Sequence, residues 1–340
     1  MSIYDERFCF RLATTAEIDR IMRFIRDYWG NPEHILATDR EFFKYEFQYG
    51  ETIGFYLAID KKNDDIAAIM AAYSYGREFC VGESCMSSGM FLANPNCQVP
   101  MIGFEMLRRF LAEFRPRSYV SPGVNMRTSA PLIRRISGNT VERMKHFYIL
   151  SDRETYVVAD IHEKKPVVID RSCEKKLVLY ENADRMYRDF DDESFKMRKP
   201  YKDRWFVEKR YFHHPVYDYL VWGVEDRMAI VGREVSYNGV KVLRIVDILG
   251  EVGLIGTVGS ALVALMDENG YEYIDLYEQK VRDEDLKKAG FIERTKGDEN
   301  IIPNYFEPFE KKNIEIYAHR IDDDSYCFKA DGDQDRPNRV

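Results

Sequence analysis

The chain has 340 residues, of which 45% are hydrophobic and 14% aromatic. A chain of this length can bury more than one core, since single domains usually stop growing near ~250 residues. We therefore expect two domains. The 50 basic and 58 acidic residues give a net charge of -8, which disfavours a phosphate backbone as ligand and excludes a general nucleic-acid binder.

Membrane and metal sites are not expected either. No apolar run approaches the ~20 residues that span a bilayer, and the N-terminal residues carry mixed charge without a signal-peptide core. We therefore expect a soluble, cytoplasmic protein with no membrane insertion. The six cysteines show neither a C-x-x-C pair nor a histidine at zinc spacing, so reduced thiols and no metal are predicted.

The first half alternates apolar strands with helices whose apolar residues recur every three to four positions. In chain order we predict strand 8–12, helix 18–25, a helical stretch over 42–47, strands 55–59, 66–70 and 89–92, helix 106–114, strand 119–124, helix 129–136 and strand 146–150. This order is typical of an α/β domain in which helices flank a mixed sheet.

The second half repeats much of that order after a charged stretch over 164–199, where we place a domain boundary. We predict strands 219–224, 228–234 and 242–249, a glycine-bearing helix, strand 273–277 and helix 282–289. Asn238 and Gly239 are a strong hairpin signal, and Gly290 is a typical helix C-terminal residue.

Three segments of the first half resemble the GNAT (GCN5-related N-acetyltransferase) fold: Phe10–Asp19, Gln98–Gly103, and Asn125–Gly138 followed by His146–Leu150. The resemblance implies an α/β fold of two tandem GNAT-like domains, each a mixed sheet flanked by helices, with acetyl-CoA or another acyl-CoA as cofactor. The expected divisions are an N-terminal domain over 1–155, connecting elements over 156–199, a C-terminal domain over 200–322 and an acidic tail over 323–340.

In that family a turn between the central strand and a helix, with the pattern Q/R-x-x-G-x-G/A, presents backbone N–H groups to the coenzyme A pyrophosphate. The second half places Gly259, Ser260 and Ala261 on the last three positions, with Gly256 where Gln or Arg is usual. We expect this half to be the better phosphate cradle. The alternative is that its glycines only allow close helix-to-sheet packing.

The first half matches the same pattern less well, because Met101 stands where glycine is usual and Pro100 lacks an N–H donor. The predicted coenzyme contacts are Gly256, Thr257, Val258, Gly259, Ser260 and Ala261 in the second half, and Gln98, Ile102 and Gly103 in the first.

Acyl transfer to an amine needs a base for the ammonium proton and an acid for the departing thiolate. Asp247 on the central strand, Glu251 at its end and Tyr277 at the end of the next strand are the predicted catalytic residues. For the two carboxylates, a solvated or salt-bridged role is the alternative.

Adjacent histidines of a strand point to opposite faces, and no third ligand is evident, so His213 and His214 are predicted to have a structural role or to contact substrate and not to bind a metal. The acidic tail over 331–338 allows three interpretations. It has the D-x-D-x-D pattern of a calcium-binding loop, although the glycine and the terminal Glu that are usual in such loops are missing. It could instead be disordered, or fold back so that Arg336 grips a phosphate or carboxylate of a substrate.

Together with this tail, the segment Pro303–Pro308 resembles a group of tandem-GNAT proteins associated with bacterial surface-polysaccharide synthesis. This implies an N-acyltransferase acting on the amine of a small polar acceptor such as an amino sugar or nucleotide sugar. Two alternatives stay open: a FemABX-like transferase that takes aminoacyl groups from tRNA, which the acidic charge disfavours, and a non-catalytic scaffold. The sequence predicts no oligomeric state.

Overall fold

The computed structural model describes residues 2–136 and 138–337. It contains two mixed β-sheets flanked by helices, which confirms the predicted α/β class. Among the described residues, no helix combines the length and apolar character needed to cross a membrane.

The predicted helices and strands lie close to their expected positions, and the structure adds short elements that the sequence did not predict, such as the helix Ile3–Arg7 and the strand Ile292–Arg294. The helices are α1 (Ile3–Arg7), α2 (Ile18–Tyr28), α3 (Ile35–Thr38), α4 (Arg40–Phe47), α5 (Ile102–Phe114), α6 (Ala130–Ile133), α7 (Ala183–Asp189), α8 (Arg204–Val207), α9 (Gly259–Asn269) and α10 (Asp283–Lys288). The strands are β1 (Phe8–Thr14), β2 (Gln48–Tyr49), β3 (Thr52–Asp60), β4 (Ile66–Ser74), β5 (Cys85–Ala93), β6 (Ser118–Pro122), β7 (Thr140–Arg143), β8 (Lys145–Leu150), β9 (Val178–Leu179), β10 (Leu220–Val224), β11 (Met228–Tyr237), β12 (Val240–Gly250), β13 (Tyr273–Gln279), β14 (Ile292–Arg294), β15 (Tyr305–Phe306), β16 (Phe309–Glu310), β17 (Tyr317–Arg320) and β18 (Cys327–Phe328).

The first sheet has the strand order β1-β3-β4-β5-β6-β17-β7, with β2 paired to β3. Its strands are antiparallel from β1 to β5, whereas β5 and β6 are parallel. Apolar side chains of α2, α3 and α4 form a core with β3 and β4, in which Phe43 stacks on Phe55. Helix α5 packs beside the same central strands, with Phe110 against Tyr56.

The second sheet has the order β14-β8-β13-β12-β11-β10-β9, and β18 pairs with β13. Strands β12 and β13 are its central parallel pair. One core lies between the sheet and the helices α9 and α10, and includes Leu262 and Leu286. A second core contains residues of α7 and α8, so helices contribute to more than one core around this sheet. At the β11–β12 hairpin, Asn238 and Gly239 both have positive φ, at 50° and 78°, as the sequence predicts.

The described chain forms two compact units. Unit 1 comprises the chain up to Val141, His319–Asp323 and the residues from Gly332 onward, and unit 2 comprises Glu142–Ala318 and Asp324–Asp331. Two expectations therefore need correction. The strand over 146–150, expected in the first domain, is β8 and pairs with β13 and β14 of the second sheet. The expected connecting segment 156–199 supplies β9, which pairs with β10, and the helix α7.

Candidate coenzyme and catalytic sites

The turn that precedes α5 in unit 1 is open. Met101, which stands where the family pattern has glycine, has a φ of 59°, in the left-handed region that glycine adopts most easily. Within the part of the chain that the structure describes, no side chain caps the start of α5. A Cβ added to Gly103 would meet nothing within 4 Å.

The geometry of this turn suits an anion. The first N–H groups of a helix have no partner inside the helix, and the helix dipole adds positive potential at the same place. Gln98 and Pro100 are exposed, and the Tyr4 hydroxyl donates a hydrogen bond to the Pro100 carbonyl at 2.9 Å. Backbone donors of the residues around Gly103 could therefore hold a diphosphate.

The corresponding turn of unit 2 is covered. A Cβ on Gly259 would lie 2.7 Å from the Ala289 carbonyl oxygen and 2.8 Å from Ile169 Cγ2, and one on Gly256 would lie 3.0 Å from the Asp285 carbonyl oxygen. These glycines allow close packing against neighbouring backbone, which was the alternative for this motif.

Polar groups cover the same turn from outside. The Ser260 hydroxyl donates to the Glu174 carboxylate, and the Lys175 N–H donates to the Thr257 carbonyl at 2.8 Å. Val258, buried, precedes α9, and Ala261 lies in its first turn. This packing argues against Gly256–Ala261 as the better phosphate cradle and favours the first-half turn.

In the first sheet, β5 and β6 pair only at Cys85↔Ser118 and Met86↔Tyr119 and then part. The β4–β5 register shifts by one residue around Gly89, so a β-bulge lies at the point of parting. The gap between β5 and β6 is called the first split, and the C-terminal segment Gly332–Arg336 occupies it. A Cβ on Gly123 would overlap the Gln334 amide, and one on Gly89 would lie 3.1 Å from Asp333 Cβ. Gly89 on β5 and Gly123, just after β6, therefore make room for this segment.

Hydroxyl groups line the first split. Ser88 is hydrogen-bonded to Tyr119, and the Ser121 hydroxyl donates to the Ser88 carbonyl at 2.8 Å. Ser88 and Tyr119 are fully buried, and burial raises the pKa of the Tyr119 phenol. The split is thus a polar region inside an otherwise apolar sheet.

Asp333, Asp335 and Arg336 are the ionisable groups that the segment Gly332–Arg336 brings to unit 1. Burial raises the pKa of Asp333 to about 6, although a hydrogen bond from the Gln334 amide acts in the opposite direction. The Arg336 guanidinium is paired with Glu46 and lies 4.1 Å from the centre of the Tyr73 ring. Burial lowers the pKa of Arg336 to about 9. The tail folds back, as one of the three interpretations has it, but Glu46 engages the side chain predicted to bind substrate.

The equivalent gap of the second sheet, the second split, is closed by backbone pairing. Strand β18 pairs with β13 through Glu278↔Phe328 and Gln279↔Cys327. On the other side, the Ala330 N–H donates to the Val246 carbonyl at 3.0 Å, where β12 carries its own bulge. Backbone groups of β12 and β13 that this gap would otherwise leave exposed are thus hydrogen-bonded to β18 and Ala330.

Asp247, the first predicted catalytic residue, belongs to a buried ion cluster of unit 2. Its carboxylate lies 2.5 Å from Lys202 Nζ and accepts from the Tyr211 hydroxyl at 2.5 Å. Lys202 also lies 2.9 Å from Asp331. Burial opposes the charge of Lys202, but the attraction of the two carboxylates prevails and raises its pKa. This arrangement matches the salt-bridged alternative for Asp247.

Glu251 and Tyr277 have other partners. Glu251 is half-exposed and forms an ion pair with Arg227 at 2.6 Å. Tyr277 is buried, donates to the Ile314 carbonyl at 2.9 Å and stacks on His146 at 3.9 Å, and burial raises its pKa. The structure therefore does not bring the three predicted catalytic residues together in one constellation.

The two histidines are also separate. His213 is exposed, with Nδ1 3.9 Å from Glu208. His214 Nδ1 accepts from the N–H groups of Val216 and Tyr217 at 3.1 and 2.9 Å, which is a local turn contact. Over residues 2–136 and 138–337, no group of three or more His, Cys, Asp or Glu side chains could hold a metal ion.

Sequence reasoning missed Asp333 as a candidate. The available signal was the run Asp331–Asp335, in which Gly332 precedes Asp333. A Cβ on Gly332 would lie 2.9 Å from the Ser88 carbonyl oxygen, so this glycine permits a close approach to β5. The sequence does not indicate which strands this segment approaches.

No family model matches the sequence, and no curated protein matches it. The structure is similar to a GCN5-related N-acetyltransferase from Anabaena variabilis, with 12% sequence identity and a TM-score of 0.53, over 93% of this chain and 73% of that one. It is also similar to a conserved protein of Enterococcus faecalis described as a probable N-acyltransferase, with 9% identity and a TM-score of 0.52, over 92% of this chain and 72% of that one. At such low identity the similarity concerns the fold alone, and it identifies the fold of this chain as GNAT-like.

Proposed function

We propose that this protein is an acyl-CoA-dependent N-acyltransferase built from two tandem GNAT-like domains, and that unit 1 binds the acyl-CoA. The observation that carries the proposal is the open, uncapped start of α5, the helix that follows the central strand β5 of unit 1. In a GNAT-like fold this is where a coenzyme pyrophosphate would meet backbone N–H groups.

The residues present fit this role. Gln98 to Gly103 would surround the diphosphate, with the left-handed Met101 turning the chain into the helix. Pro100 contributes no N–H, so the donors would come from the residues around it. When bound, the acyl-CoA supplies a thioester whose carbonyl carbon an amine can attack.

Unit 2 has a structural role in this proposal. Its helix start is packed against Ile169 and Ala289, and its split is paired to β18. A coenzyme would have to displace both sets of contacts to bind there.

For the acceptor we propose a small polar amine, such as an amino sugar or nucleotide sugar used in polysaccharide synthesis. Support comes from the resemblance of Pro303–Pro308 and the acidic tail to proteins of that context. The hydroxyl-lined first split is compatible with a polar acceptor, since hydroxyl groups can both donate and accept hydrogen bonds.

A charge placed at the start of α5 tests the coenzyme site. Gly103→Glu should leave the fold intact, because the Cβ enters open space and an acidic residue suits a helix N-terminus. It should nevertheless repel a diphosphate and weaken acetyl-CoA binding by about tenfold or more, since tenfold corresponds to only about 1.4 kcal/mol. Ala112→Glu, at an exposed position in the same helix, is the matched control and should bind normally.

Isothermal titration calorimetry with acetyl-CoA and longer acyl-CoAs provides the measurement. Equal affinities for Gly103→Glu and the wild type would exclude this turn as the coenzyme site. If the wild-type protein binds no acyl-CoA at all, the proposed activity itself is wrong.

A further inference from the structure

The C-terminal segment Gly332–Arg336 carries a carboxyl group into the first split. A Cβ built on Gly89 would lie 3.1 Å from the Tyr73 hydroxyl oxygen and 3.2 Å from Asp333 Oδ2. The carboxyl and the phenol therefore lie on the same side of Gly89, at the bulge where β5 and β6 part. The strands part along β5, which is also the strand that precedes the proposed coenzyme turn at the start of α5.

The position of Asp333 is fixed by its own segment. Arg336 Nε donates to the Gly332 carbonyl at 2.5 Å, which closes a turn around Asp333. The same guanidinium is paired with Glu46 on α4 and stacked on Tyr73 of β4. A charged group buried to this degree needs such partners, and the result is a segment held against the sheet by contacts within unit 1.

The surroundings of Asp333 favour the uptake of a proton by its carboxylate. Burial dominates its environment and raises its pKa to about 6. The Tyr73 phenol of β4 lies near its carboxyl. Its own segment carries two more ionisable side chains, the buried Asp335 and Arg336, and Arg336 is paired with Glu46 of α4. Glu46 engages Arg336, whose pKa of about 9 keeps it cationic at neutral pH. A base works best when its pKa lies near the working pH.

From this placement we infer that Asp333 is the general base of the acyl transfer, supplied to the first split by the C-terminal segment. The inference rests on the proposed function. It assigns the proton acceptor to unit 1 and leaves Asp247 as part of a buried ion cluster in unit 2.

The acceptor arrives as an ammonium, and the Asp333 carboxylate takes one of its protons, so that the neutral amine nitrogen can attack the thioester carbonyl. An N–C bond forms and the C–S bond breaks, with its electron pair leaving on sulfur. The nitrogen's second proton passes to the departing sulfur, and Asp333 returns the first proton to solvent, so the products are an amide, a CoA thiol and one released proton.

Asp333→Asn tests the assignment, because it removes the base without changing the size of the side chain. We measure acetyl-CoA affinity by calorimetry, and thiol release from acetyl-CoA with a panel of amino sugars and with water alone. Turnover should fall at least ~100-fold, while the acetyl-CoA Kd stays within about twofold of the wild type. Asp333→Glu should restore part of the rate, and Asp323→Asn, at an exposed tail carboxyl, should change neither quantity.

The pH profile separates a base from a structural role. Wild-type turnover should rise as the pH passes through about 6 and the carboxyl becomes ionised, and Asp333→Asn should lack this limb. A variant within about threefold of the wild-type rate that keeps the limb would overturn the inference. So would wild-type protein that binds acetyl-CoA but releases no thiol above the spontaneous rate. Absence of acetyl-CoA binding contradicts the proposed function instead, so the two failures are distinguishable.

Discussion

The starts of α5 and α9 occupy equivalent places in their sheets, yet they differ in what surrounds them. Gly103 opens on empty space, whereas Gly259 contacts Ala289 and Ile169. The better match to the pyrophosphate motif is thus the covered one, and the poorer match, with Met101 in the left-handed region, is open. A glycine permits a close approach, but the approaching group can equally be a ligand or another part of the chain.

The two splits also differ in what fills them. In unit 2, hydrogen bonds from β18 and Ala330 use the backbone groups of the parting strands. In unit 1, glycines admit Asp333 and Gln334, and a carboxyl of raised pKa lies there. Two sheets of similar topology can therefore differ in the segments that fill their splits, one paired through its backbone and the other holding a carboxyl group.

The largest effect on this comparison should come from breaking the ion cluster of unit 2. Lys202→Met removes the cation that is paired with the buried carboxylates of Asp247 and Asp331. The loss should be about 3–5 kcal/mol of unfolding free energy, measured by urea denaturation.

Lys196→Met provides the control, because it removes an exposed ion pair with Glu193 and should change stability by less than about 1 kcal/mol. Similar small losses for both variants would mean that the cluster does not stabilise unit 2.

A smaller effect should distinguish the two helix starts directly. Gly259→Ala forces a methyl group against the Ala289 carbonyl and should destabilise the protein by about 1–3 kcal/mol. Gly103→Ala adds the same methyl in open space and should be neutral or stabilising by up to about 1 kcal/mol. Thermal or urea unfolding should therefore show a loss of stability for Gly259→Ala and none for Gly103→Ala, and equal losses would contradict the contrast between the two turns.

The smallest effect concerns the charge that covers α9. Glu174→Gln removes a partly exposed carboxylate beside the helix N-terminus and should cost about 0.3–1 kcal/mol at low salt, less as salt screens the dipole. Glu268→Gln, in the last turn of the same helix, should instead stabilise slightly, because a negative charge is unfavourable there. If the Glu174 variant shows no salt-dependent loss, the carboxylate does not interact with the helix start.

Local patterns in the sequence predict the elements well. The Asn238-Gly239 turn needs positive φ at both residues, and Gly290, with a φ of 88°, ends α10 as expected. Such signals depend on neighbours within a few residues, and so the element order and the α/β class follow from them.

The site is less predictable, because it depends on distant segments. Nothing in the motif Gly256–Ala261 indicates that Ile169 and Glu174 will cover it. Likewise the alternating apolar pattern of 146–150 identifies a strand but not the sheet that it joins. Asp333 acquires its environment from β4 and β5, far away in the sequence, and so the residues of the first split emerge only in the folded chain.

The position of β8 in the second sheet has a consequence for biosynthesis. On β8, His146 leaves the ribosome 129 positions ahead of its neighbour Asp275 on β13, so this strand must wait unpaired while most of its sheet is translated. Such long-range pairing slows folding. Cutting the gene within the segment 156–199 would separate β8 from both of its partners, so the two halves should be produced as one polypeptide.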